Sequence, residues 1–241
     1  MPGDLGVDLS TVTDVVLTHN HEDHTGGLLT LRRALKAKNA AALSRAHVAP
    51  GIFWSRPGPK GEGNTMIAVR AAYEAEGGQF VEHAKPGELF PGVWLTGPER
   101  NWSADVQEVR TPEGALVADT IQEDQSIVLD TDRGLVLVSG CGHAGVVNTI
   151  EYARKILRDV PLYAAIGGFH LFPLDDAKLA WTAAALKRAG LKQFVGAHCT
   201  GIEAVYRVRQ LANLSRQTCV VGAVGAVFTL DKGIEPGMLA R

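Results

Sequence analysis

The chain has 241 residues, 46% hydrophobic and 21% charged, which suits a globular fold and excludes disordered, collagen-like and coiled-coil architectures. Lys and Arg number 24, Asp and Glu 26, and the formal net charge is -2. Nothing in that balance draws the chain to nucleic acid or to an anionic membrane surface. Cys141, Cys199 and Cys219 are too few and too scattered for a disulfide framework, and they fit a reducing interior. Met1–Ser10 lacks the basic and apolar regions of a signal peptide, and no apolar run reaches the length of a membrane span, so a cytoplasmic protein is expected.

The elements follow in chain order. Val15–Leu17 is a short β-branched run and predicts a buried strand. A helical stretch is expected from Leu28 to Lys38. Ala49–Asn64 is dense in Gly and Pro and carries Phe53 and Trp54, which reads as a long loop, a candidate lid. Thr65–Glu76 predicts a helix closed by Gly77 and Gly78. Phe80–His83 and Val93–Thr96 are candidate strands. Ser126–Leu129 and Leu135–Val138 flank a short polar turn and predict a hairpin. Helices are expected at Val147–Arg158, Asp175–Ala189 and Gly201–Leu214, with Asp175 as an N-cap and Gly190 as a stop. Between them lie the strands Leu162–Ile166 and Gln193–Gly196. The tail, Thr218–Leu230, reads as one or two strands. The pattern is mixed α/β.

Six of the eight histidines fall at the ends of these strands. Val15–Leu17 runs into His19, His21 and His24. Leu135–Val138 runs into Cys141 and His143, Leu162–Ile166 into His170, and Gln193–Gly196 into His198 and Cys199. Ligands of α/β sheets bind outside the carboxyl ends of the strands. His19 and His21 lie two apart and point the same way on an extended segment, as two ligands of one metal would. Asp23 and His24 are offset toward a neighbouring position. Packing gives no reason to place three imidazoles and a carboxylate in six residues. His47 and His83 read as ordinary surface or core side chains. Cys141 and Cys199 are most simply small buried residues, though either thiolate has the chemistry of a metal ligand.

The run His19-Asn20-His21-Glu22-Asp23-His24, followed by Thr25-Gly26-Gly27-Leu28, resembles the HxHxDH signature of the metallo-β-lactamase fold superfamily. Glu123–Ser126, Ser139–Asn148, Ile166–Leu171 and Ala197–Gly201 are similar to one subgroup, the dihydropterin-(ribofuranosyl)aminobenzene phosphate synthase-like hydrolases. The resemblance implies an α/β fold, a four-layer αββα sandwich with a metal centre at one edge, as a single domain over residues 1–241. It implies His19, His21 and His143 around one divalent ion, and Asp23, His24 and His198 around a second. Zinc is the first expectation, with iron or manganese as alternatives. Asp23 would also act in catalysis, and His170 would bind substrate or shuttle a proton beside the metals.

Two features depart from the superfamily pattern. Many members carry a bridging aspartate where this chain has Gly140-Cys141. That leaves one ion or two open, and leaves a ligand open between His143 and a residue near Asp124. Superfamily domains also begin with several strands before the motif, whereas 18 residues precede His19. A domain short of its first strands is therefore expected, with a gene-model effect or a second subunit as the reasons to weigh.

A bound divalent ion lowers the pKa of water from about 15.7 to about 7 and polarises a carbonyl or phosphoryl oxygen. The expected function is a metal-dependent hydrolase of a small-molecule ester or phosphoester. The Gly-rich turns would admit an anionic group, and the Phe53/Trp54 loop would close over an aromatic portion. The alternatives are an iron-containing oxidoreductase of the same fold and a catalytically inactive metal-binding protein. The expected partner is a small-molecule substrate, with no nucleic acid and no membrane, and with a homo-oligomer as an open arrangement.

Overall fold

The computed structural model describes residues 5–98, 107–111 and 113–236. Its contacts gather the chain into two compact units, Met1–Lys85 with Gly97–Asp124, and Pro86–Thr96 with Gln125–Arg241. Among the described residues no helix is long and apolar enough to cross a membrane.

The first unit opens with β1 (Asp14–Val16), the single-turn α1 (Glu22–Thr25), α2 (Leu28–Lys36) and β2 (Arg45–Val48). A short ladder of β3 (Pro57–Gly58) and β4 (Gly61–Glu62) precedes α3 (Met66–Ala75) and β5 (Gln79–Glu82). After β6 (Gly87–Phe90) and β7 (Val93–Leu95), which belong to the second unit, β8 (Gln107–Arg110) and β9 (Leu116–Asp119) return to the first as an antiparallel pair. β1, β2 and β5 form a parallel sheet in that order. Its core gathers Leu17, Ala46, Val48, Ile52, Met66 and Tyr73. Met66 and Tyr73 lie two turns apart on α3, so one helix face meets the sheet.

His47 is also buried, on the alternate pleat of β2. Its Nε2 lies 2.8 Å from Asp14 Oδ1, and its Nδ1 lies 2.9 Å from His83 Nε2. Both histidines thus have polar partners within this unit. The Arg45 guanidinium holds the Asp14 carboxyl well below the usual carboxylate range.

The second unit holds a seven-stranded mixed sheet, β14-β13-β12-β11-β10-β7-β6. Its later strands are β10 (Ile127–Thr131), β11 (Gly134–Ser139), β12 (Leu162–Gly167), β13 (Gln193–Gly196) and β14 (Cys219–Val221). β10 and β11 make the expected hairpin, and β11 to β14 run parallel. α4 (Val146–Ile156), α5 (Asp176–Arg188) and α6 (Ile202–Leu211) connect the parallel strands. β11 is buried almost throughout, as the centre of a covered sheet requires. On α5, Leu179, Thr182, Ala183 and Leu186 repeat at helical spacing and face the core. The Asp175 side chain accepts the Lys178 N–H at 2.8 Å and caps that helix, as expected. Gly190, at φ +92, ends the turn after it.

The expected strands and long helices stand within a few residues of their sequence bounds. The differences are local. β2, β6 and the short pairs β3–β4 and β8–β9 were not expected, because each is only two to four residues long and lacks a sustained apolar or alternating run. β14 and β15 (Val227–Thr229) fall within Thr218–Leu230, where one or two strands were expected, and β16 (Gly233–Glu235) lies just beyond it. The expected lid loop is anchored at its start. Phe53 packs edge-on to Phe80 at 4.9 Å and lies under Arg70, so this ring faces the core of its own unit.

Candidate functional site

The first unit positions His19, His21, Asp23 and His24. β1 delivers the chain to a turn in which His19 is fully buried. Thr18 Oγ1 sits 2.9 Å from His19 Nδ1 and orients the ring. The His21 ring lies 4.6 Å from the His19 ring, edge to face, and the His24 ring lies 4.4 Å from it. The motif changes conformation within itself. His21 is the N-cap of α1, so Asp23 and His24 sit on a helical turn rather than on an extended segment. That turn provides the expected offset. Asp23 Oδ2 lies 3.5 Å from His24 Nε2, and its side chain is largely exposed.

Beneath this turn lies a buried ionic cluster that the sequence did not announce. Arg56, in the long loop, donates to both carboxylates of Asp119 and Glu123, which lie 63 and 67 residues away. Its Nη2 is 3.0 Å from each Glu123 oxygen, and its Nε pairs with Asp119 Oδ2. Glu123 Oε1 in turn accepts the backbone N–H of Asn20, between the two histidines, at 3.2 Å. Burial pushes the Glu123 carboxyl above its ordinary range, against the pull of Arg56. A cavity of about 400 Å³ adjoins the cluster, lined among others by Asn20, His21, Arg56 and Asp119.

The second unit positions Cys141, His143, His170, His198 and Cys199 at the carboxyl ends of β11, β12 and β13. His143 is buried, and its ring lies 4.6 Å from that of His170. Cys141 Sγ lies 3.5 Å from His198 Nδ1. Cys141, His198 and Cys199 each offer a donor atom within 4.8 Å of the others. Hydrogen bonding to Cys141 draws the Cys199 thiol down to about 3, helped by His170 and His198 and opposed by burial. His170 and His198 adopt left-handed backbone at φ 46 and 52, which an ordinary side chain tolerates only where packing over-determines it. Gly167 and Gly168 make the close approach here. A Cβ on Gly167 would overlap the Ser139 carbonyl, and one on Gly168 the Gly140 carbonyl.

Each unit therefore brings together its own share of the expected residues. Imidazoles beside a carboxylate in the one, and an imidazole with two thiols in the other, are donor types that suit a divalent ion. The sequence read Cys141 and Cys199 mainly as packing residues; their nearness to His198 adds weight to ligation. Arg56 and Asp119 were missed altogether. The one faint signal was a lone arginine inside a Gly- and Pro-rich loop.

Comparison with known proteins agrees with this picture. A family model described as the metallo-β-lactamase superfamily matches residues 2–192. The chain is 30% identical over 207 residues to 7,8-dihydropterin-6-methyl-4-(beta-D-ribofuranosyl)-aminobenzene-5'-phosphate synthase of Methanocaldococcus jannaschii, covering 83% of this chain and 70% of the relative. It is 25% identical over 219 residues to an uncharacterized protein of the same organism, covering 89% of this chain and 77% of the relative. Among solved structures it resembles a metal-dependent hydrolase of the β-lactamase superfamily, with TM-score 0.70 and 24% identity over 89% of this chain and 79% of that one. That likeness shows the fold expected from the HxHxDH run. The chain belongs to the metallo-β-lactamase superfamily.

Proposed function

We propose that the chain is a metal-dependent hydrolase of a small-molecule ester or phosphoester. Superfamily membership supports the class, and the crowded HxHxDH turn is the observation that carries it. The relative at 30% identity is named a synthase, so hydrolysis of an ester or phosphoester rests on the chemistry of the site rather than on that name. His19, His21 and His143 are assigned to one divalent ion, and Asp23, His24 and His198 to a second, with zinc preferred.

Such an ion supplies Lewis acidity and brings the pKa of water near neutrality. The remaining work falls to the chain's own residues. Asp23, exposed on α1, orients the attacking water and accepts its proton at a carboxylate oxygen. His170, whose ring lies tilted beside that of His143, returns a proton to the leaving group from its imidazole. The Gly167-Gly168 turn keeps the floor of that strand end free of side chains.

His21→Ala tests the reading. Metal content, read by elemental analysis, and turnover of p-nitrophenyl esters and phosphodiesters should fall together. An active, metal-free variant would overturn it. A second reading is favoured by the two thiols beside His198. Thiolate ligands suit iron as well as zinc, and an iron-containing oxidoreductase would show a visible chromophore that a zinc protein lacks.

A further inference from the structure

Two thiols meet at the strand ends of the second unit. Cys141 follows β11 and Cys199 follows β13, 58 residues further along the chain. Neither is in a disulfide. Their sulfur atoms, together with a ring nitrogen of His198, lie within 4.8 Å of one another.

Two hydrogen bonds aim Cys199 at Cys141. Its Sγ accepts the His170 backbone N–H at 3.3 Å, and its thiol donates to the Cys141 carbonyl at 3.6 Å. Just past β12, Gly168 has no side chain to part the two loops. A Cβ there would press on Cys199 Sγ at 3.1 Å and overlap the Gly140 carbonyl. Cys141 is set between Gly140 and Gly142, and Gly142 lies at φ 61, so the backbone beside it has few side chains to hold it. A disulfide needs its sulfurs about 2.0 Å apart, and rotation of both side chains about χ1 can close the gap that remains.

Exposure divides the roles. Cys199 is partly exposed, so a dissolved oxidant reaches it. Cys141 is 3% exposed and meets only what Cys199 brings to it. The third thiol, Cys219, is fully buried in the core and donates to the Val205 carbonyl, so it serves as an internal control.

We infer that Cys141 and Cys199 are a peroxide-modified dithiol that closes to a reversible disulfide. Cys199 Sγ attacks one oxygen of the peroxide. The O–O bond breaks, the sulfur becomes a sulfenic acid, and the other oxygen leaves as water with the thiol proton. Cys141 Sγ then attacks Cys199 Sγ. The S–S bond forms, the S–O bond breaks, and the hydroxyl leaves with the Cys141 proton as a second water. Two electrons pass from the dithiol to the peroxide. In a reducing interior such a bond is transient, as a sensing site requires. Disulfide sulfurs are no longer thiolates, so oxidation and metal ligation by this pair exclude one another. The chemistry of the dithiol is independent of the hydrolase reading.

The test treats the full chain with hydrogen peroxide, as purified and again after chelation, then denatures and alkylates it with N-ethylmaleimide. Peptide mass spectrometry should show a Cys141–Cys199 cross-link and an alkylated Cys219. Dithiothreitol added after the peroxide should return all three thiols to alkylation. In Cys141→Ser the sulfenic acid on Cys199 should persist and be trapped by dimedone, and in Cys199→Ser neither product should form. Should Cys141→Ser not fold by circular dichroism, Cys141→Ala takes its place. A cross-link seen only after chelation supports the dithiol and shows that a metal shields it. Absence of the cross-link in both states would overturn the inference, whether the two thiols stay alkylated or Cys199 passes to a sulfinic acid beside an intact Cys141. Ester turnover, measured separately, decides the hydrolase reading and leaves this outcome untouched.

Discussion

Arg56 concentrates three kinds of information in one side chain. It fixes the long loop, pairs with two buried carboxylates, and through Glu123 supports the peptide between His19 and His21. Truncating it strands Asp119 and Glu123 without a cation. Arg56→Ala should therefore cost about 3–5 kcal/mol, read as a shift in urea unfolding midpoint. Arg56→Lys should recover only part, since one ammonium cannot reach so many acceptors. Tyr73 gives a pH signature. Burial pushes its phenol from 10 up to about 12. The folded state then holds the proton more tightly than the unfolded chain, so stability is lost as pH rises from 10 toward 12. Tyr73→Phe should abolish that alkaline slope. At neutral pH it should cost about 1 kcal/mol, for the bond that the hydroxyl donates to the Leu43 carbonyl. Denaturation curves across pH 9 to 12 check both (range about two units around the phenol). The histidines were legible in the sequence because they are dense and local. Arg56 was not, because its partners lie 63 and 67 residues away and no short pattern encodes such a pairing.

At the scale of elements, capping and close approach set the tolerances. Asp175→Ala removes the N-cap of α5 and should lower stability by about 1 kcal/mol, seen as a modest fall in melting temperature. Gly167→Ala should be far worse, because the new methyl group would meet the Ser139 carbonyl of the neighbouring strand and φ is +124. Loss of soluble, folded protein is the expected outcome, checked by circular dichroism after expression. The α5 cap and the β10–β11 hairpin were readable because their signals are short-range: an aspartate before an apolar repeat, and a polar turn between β-branched runs. β2 was not readable. Arg45-Ala46-His47-Val48 becomes a strand through parallel partners on both sides, Asp14–Val16 and Gln79–Glu82. A strand defined by its neighbours leaves little trace in its own residues.

For the whole molecule, the expected linkage is between ion and stability. If the assigned residues hold a divalent ion in the folded chain alone, zinc at a hundredfold above its dissociation constant should add about 2.7 kcal/mol. Chelation should reverse that gain, and melting curves with and without chelator measure it. A melting temperature indifferent to both would count against the assigned ligands. Sequence reasoning supplied the fold class through a motif rather than through the sum of its strands. The division into two units was not visible, since it depends on which distant segments associate.

That division also bears on how the protein is made. The first unit is discontinuous: β6 and β7 interrupt it, and its last segment ends at Asp124. On the ribosome, Arg56 emerges long before Asp119 and Glu123 and must wait unpaired for them. β7 likewise waits for β10, its partner in the sheet, until residues 127–131 have been synthesised. The strands of the first unit's sheet are all synthesised by residue 82, so a ribosome stalled before Asp119 would carry β1, β2 and β5 without the carboxylates that pair with Arg56, and only β6 and β7 of the seven-stranded sheet.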